Sequence, residues 1–97
     1  MSREFDILCE LYGPYGDDAQ SFIMALFNYR CPKCLGRADT VHEIRPRSRG
    51  KSAAKLSNRT SICHSCHTEV HRLGTSDERI AEWQLIRDNY LKSIGRL

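Results

Sequence analysis

Four cysteines stand in two short turns, Cys31-Pro32-Lys33-Cys34 and Cys63-His64-Ser65-Cys66, about thirty residues apart. A Cys-x-x-Cys turn offers two sulfurs of one loop at about 2.3 Å from a common ion, and two such turns complete a tetrahedral shell. The pattern therefore reads as one structural zinc site that ties two ends of a short chain together. Zinc is satisfied by the four thiolates. His67 and His71, which follow the second turn, are left free for a separate site.

The staple suits the length. A chain of 97 residues makes one domain (1–97), near the size at which a hydrophobic core alone gives thin stability. The net charge of +3 is only mildly basic and would not by itself indicate nucleic acid. The first residues, Met1-Ser2-Arg3-Glu4-Phe5-Asp6, lack the apolar run of a signal peptide, and no stretch approaches the length of a membrane span. The expectation is a cytoplasmic protein away from membranes, where paired Cys-x-x-Cys turns bind metal rather than form disulfides. Cys9, within Ile7-Leu8-Cys9, reads as an apolar filler.

Gly13-Pro14-Tyr15-Gly16 marks a loop after a short apolar N-terminal segment, and Asp17 or Asp18 offers a helix N-cap. Phe22, Leu26 and Tyr29, with Ala25 on the same face, predict an amphipathic helix over 18–30 that Pro32 stops. Residues 40–44 suit a short strand, and residues 59–62 its partner in a long-looped hairpin. A helix from near Cys63 to Leu73 should end at Gly74. Thr75-Ser76-Asp77-Glu78 fits a capping box for a last helix over 76–93, with Ile80, Trp83, Ile86 and Tyr90 as its core face. The fold class is α+β.

His67 and His71 lie four apart on the predicted helix, so both imidazoles project from one face. If zinc draws the two cysteine turns together, the strand after the first runs beside the helix after the second. His42 could then join His67 and His71 as a third nitrogen ligand. The intervening loop carries Arg45, Arg47, Arg49, Lys51, Lys55 and Arg59, with no Asp or Glu between residues 44 and 68. Segregated positive charge of this kind attracts a polyphosphate backbone. Cys63-His64-Ser65-Cys66-His67 also matches a c-type haem attachment pattern, but that reading needs export and leaves Cys31 and Cys34 without a role.

Taken together, Cys31-Pro-Lys-Cys34, Val41-His42-Glu43-Ile44 with the basic run after it, Asn58, Cys63-His64-Ser65-Cys66-His67 and His71 resemble the HNH endonuclease family. The resemblance covers about residues 28–74 and implies a small ββα-metal core with a four-cysteine zinc staple, flanked by N- and C-terminal helices. It implies that His42, His67 and His71 hold a catalytic divalent metal (Mg, Mn, Zn, Ni or Co) and that Asn58 braces the loop or helps bind that metal. It further implies metal-dependent DNA cleavage, nicking or cutting, with Arg45, Arg47, Arg49 and Lys51 on backbone phosphates and little sequence specificity. Members of this length resemble those of bacteriophages, some of which act with genome-packaging proteins inside a bacterial host. The sequence does not choose between monomer and homodimer.

One position departs from the pattern. Where the family usually has the histidine that activates water, this chain has Glu43. A carboxylate is a weaker proton acceptor than imidazole unless its surroundings favour the protonated form. Glu43 is then either the base, or a metal ligand with His42 or a metal-held water doing the base's work, or the mark of an inactive member. Strand alternation would set residues 42 and 43 on opposite faces, so both reach one site only if the strand bends. The alternative function is a catalytically inactive, zinc-stapled nucleic-acid-binding or scaffold module.

Overall fold

A computed structural model of the chain describes residues 2–49 and 53–97. In chain order these form α1 (Ser2–Tyr12), α2 (Asp17–Leu26), β1 (Thr40–Glu43), β2 (Arg59–Ile62), α3 (His64–Leu73) and α4 (Asp77–Ser93). Short 3-10 turns at Arg47–Arg49 and Leu56–Asn58 shape the loop between the strands. The strands pair antiparallel, with His42 opposite Thr60 and Glu43 opposite Arg59. Every residue of β2 is buried. That is how a ribbon of only two strands persists: α2 packs against it, and Arg87 of α4 donates to the Arg59 carbonyl of β2.

The N-terminal segment folds as a full helix. Phe5, Leu8, Cys9 and Tyr12 recur at three- and four-residue spacing, and Phe5 is driven into the core beside Ala19, Ile23 and Phe27. Cys9 packs against that cluster as a partly buried filler. The second helix is shorter than residues 18–30. It is capped by Gly16, with Asp17 and Asp18 inside its first turn, where carboxylates favour the helix dipole. It ends at Leu26, because Asn28 and Tyr29 adopt left-handed backbone angles (φ 54° and 59°). The reversal comes before Pro32, and the side chain of Arg96 donates to the carbonyls of Ala25 and Leu26 that it exposes. Arg30 and Arg37 then bridge across the base of the first cysteine turn.

Two apolar clusters share the interior. Phe5, Ala19, Ile23, Leu26, Phe27 and Leu91 fill one, and Cys31, Ile44, Ile62, Val70, Ile80 and Trp83 fill the other. α4 joins them: its first half supplies Ile80 and Trp83 to the second cluster, and its far end sends Leu91 into the first. Between these lies Arg87, only 4% exposed. Its guanidinium donates to the carbonyls of Arg59 and Leu56 and pairs with Asp88, so the buried charge is satisfied rather than stranded. No helix among the described residues is long and apolar enough to cross a membrane.

Candidate functional site

The four cysteine sulfurs lie within 4.8 Å of one another, with Cys34 and Cys63 Sγ at 3.5 Å. Tetrahedral zinc at 2.3 Å from each sulfur needs sulfur pairs about 3.8 Å apart, so the donor set fits a structural metal. Local backbone builds it. Leu35, at φ 64°, turns the first loop so that its N–H reaches the Cys31 carbonyl, and the N–H groups of Gly36 and Cys66 point at Cys34 and Cys63 Sγ. Burial, the largest influence on the Cys63 thiol, opposes its ionisation. Hydrogen bonds from the Cys66 N–H and the neighbouring thiols nevertheless bring it down to about 7. Burial, followed by those same thiols, drives Cys66 the other way. Thiolates packed this closely repel one another, and a bound cation offsets that repulsion.

The histidines sit on the other side of the α3 turn. His67 and His71 stack one helical turn apart with Nε2 atoms separated by 3.1 Å. Two nitrogens on one ion at about 2.1 Å stand about 3.0–3.4 Å apart, so this pair is at ligand spacing. β1 brings His42 beside them, its ring centre 5.1 Å from that of His67 and 6.3 Å from Trp83 of α4, edge-on to both. His42 is buried. Desolvation, and then the proximity of His67 and His71, lowers its pKa to about 4. Burial, with His71 and His64 nearby, lowers His67 as well. Imidazoles held neutral in this way are in the form that ligates metal. Among the described residues, no second group of three metal-binding side chains converges as closely as the cysteines do.

These rings line a cleft of about 570 Å³, together with Glu43, Arg47 and Tyr15. Strand alternation predicted opposite faces for residues 42 and 43, yet both border the cleft. Glu43 is the last residue of β1, where strand alternation no longer has to hold. Its Oε2 accepts a hydrogen bond from the Tyr15 hydroxyl at 2.5 Å, while Oε1 stands 3.9 Å from the Arg47 guanidinium. The Asn58 side chain is engaged by the loop backbone. Its Oδ1 accepts from the Arg45 N–H, and its Nδ2 donates to the carbonyls of Arg45 and Ala53, which closes the loop behind Glu43.

The basic run divides. Arg47 is well exposed, Lys55 is exposed and Arg45 is half-buried. Arg49 lies in the first 3-10 turn, and Lys51 lies outside the described residues. Arg59, read from the sequence as part of a phosphate-attracting surface, is 1% exposed. Its guanidinium donates to the Pro14 carbonyl and to Gln20 Oε1, so it is a core anchor and not a surface charge. Nothing in the sequence reading places Tyr15 at the site, while Trp83 lies in the core as expected and there meets His42. An aromatic between two loop glycines was the available signal for Tyr15; nothing local linked it to a carboxylate 28 positions on.

Residues 30–73 match the family model described as HNH endonuclease. A curated protein of Sarcophyton glaucum, named as a mitochondrial DNA mismatch repair protein and mutS homologue, is 34% identical over 67 residues. That alignment takes in 64% of this chain and 6% of the relative, so the chain spans a small fraction of that protein's length. No solved structure matches the chain.

Proposed function

We propose, from the match of residues 30–73 to the HNH endonuclease family model, that the protein hydrolyses DNA phosphodiester bonds with a divalent ion held by His42, His67 and His71. The observation that carries the reading is the meeting of three imidazoles with a carboxylate and an exposed arginine around one cleft. A divalent ion there would polarise the scissile phosphate and stabilise the leaving oxygen. Imidazole donors suit Zn, Ni, Co or Mn better than Mg. The four cysteines hold zinc as a separate structural ion.

Within this reading Glu43 is the base. Its carboxylate takes a proton from the attacking water, a contribution of about 10²–10⁴ in rate for a well-placed group. Arg47 grips a backbone phosphate and, with Arg45, sets register without reading bases. Asn58 keeps the loop that carries both arginines seated on β2. His42 is fixed from behind by Trp83, so the strand ligand is held while the helix pair stays open to the cleft.

The test is plasmid nicking across a panel of divalent ions, comparing the wild type with His67→Ala and Glu43→Gln. Metal-dependent nicking is expected, reduced by about a hundredfold or more in either variant, with bound zinc retained. No cleavage by folded, zinc-loaded wild type under any ion would remove the enzyme reading and leave a zinc-stapled nucleic-acid-binding module. Cleavage by Glu43→Gln at the wild-type rate would remove Glu43 as base.

A further inference from the structure

We infer that Tyr15, from outside residues 30–73, is a positioning residue for Glu43; the inference rests on the nuclease reading above. The connection between α1 and α2 is a tight turn. Gly13 has φ +87°, and a Cβ on Gly16 would stand 2.7 Å from the Tyr12 carbonyl oxygen, so the Gly-Pro-Tyr-Gly run has little conformational freedom. The turn is also anchored. Arg59 donates to the Pro14 carbonyl at 2.5 Å and to Gln20, and Arg59 is the residue paired with Glu43 across the ribbon. The device that seats the turn is therefore built on the strand position facing the carboxylate that Tyr15 touches.

The contact leaves the two carboxylate oxygens unequal. Oε2 is occupied by the Tyr15 hydroxyl at 2.5 Å, whereas among the described residues Oε1 has only the long approach of Arg47 at 3.9 Å. Arg47 is free to exchange that partner for a phosphate, because its side chain is 70% exposed. Oε1 is then the oxygen available to water, and Tyr15 fixes the direction in which it points. The Tyr15 ring is not an open platform for a nucleobase: the guanidinium groups of Arg47 and Arg59 lie over it at 4.5 and 5.1 Å. A base that is a carboxylate on a strand end has more rotational freedom than a ring. A hydroxyl clamp from the N-terminal helices supplies the missing constraint.

Tyr15→Phe keeps the ring between its neighbours and removes only the hydroxyl. Steady-state nicking by full-length, zinc-loaded protein should show kcat lowered about tenfold, as for loss of one charge-assisted hydrogen bond, with KM for DNA changed less than about twofold. On a Glu43→Gln background the same substitution should cost nothing further. Equal kcat for Tyr15→Phe and wild type would overturn the positioning role while the nuclease reading stands. Additive losses in the double variant would overturn it too, because Tyr15 would then act other than through Glu43. A wild type that cuts under no divalent ion would overturn both.

Discussion

Four cysteines and three histidines form two clusters among the described residues, and they are built differently. The four cysteines come from two turns whose own backbone N–H groups and left-handed Leu35 aim the sulfurs, and they converge within 4.8 Å. The three histidines come from a helix face and a neighbouring strand. His67 and His71 are already at ligand spacing, while His42 stands off edge-on, held between His67 and Trp83. The first cluster is aimed by local backbone. The second depends on the pairing of β1 with β2, which runs straight into α3.

This difference ranks the consequences of damage. Cys66→Ser should have the largest effect, with loss of bound zinc and of cooperative thermal unfolding by circular dichroism. Structural zinc contributes about 10–16 kcal/mol in finger peptides, comparable to the whole stability of a small domain. The histidine cluster should instead show itself through acid sensitivity. His42 has its folded pKa lowered to about 4, against an ordinary value of 6.5. The unfolded chain therefore binds the proton first, and stability falls as pH drops from 6.5 to 4, by up to about 3 kcal/mol. Urea melts of zinc-loaded protein should show this slope, and His42→Gln should flatten it. A wild-type slope unchanged in that variant would place the acid sensitivity elsewhere.

Smaller effects follow from the loop. Asn58→Ala strips three hydrogen bonds from the Arg45 and Ala53 backbone, and should cost about 2 kcal/mol in denaturant melts without loss of zinc. Arg47→Ala should leave stability nearly untouched. It should lower the slope of log affinity for duplex DNA against log salt by about one contact. An unchanged slope would show that Arg47 touches no phosphate.

What could be read beforehand follows the same division. Residues 59–62 and the ends of α3 and α4 were legible because Gly74, Ser76 and the turn cysteines are local signals. α1 reads from sequence only as a short apolar segment, since Phe5, Leu8, Cys9 and Tyr12 give a helical period without a capping residue. Arg59 looked like one more loop cation. Its burial depends on Pro14, Gln20 and Tyr15, which a linear reading cannot bring near it. The histidines could be named from their spacing and their resemblance to a family, whereas the support from Tyr15 and Trp83 is purely tertiary.

The central claim is that the histidines hold an ion of their own, apart from the zinc of the cysteines. Trp83, the single tryptophan, stands 6.3 Å from His42 and is a built-in reporter. Titrating Ni or Co into zinc-loaded protein, with bound metal counted by elemental analysis, tests the claim most directly. A second metal equivalent is expected, accompanied by quenching of Trp83 fluorescence, both absent in His67→Ala while zinc stays bound. A zinc-loaded wild type that takes up no second ion, or a His67→Ala protein that takes it up with wild-type affinity, would contradict it.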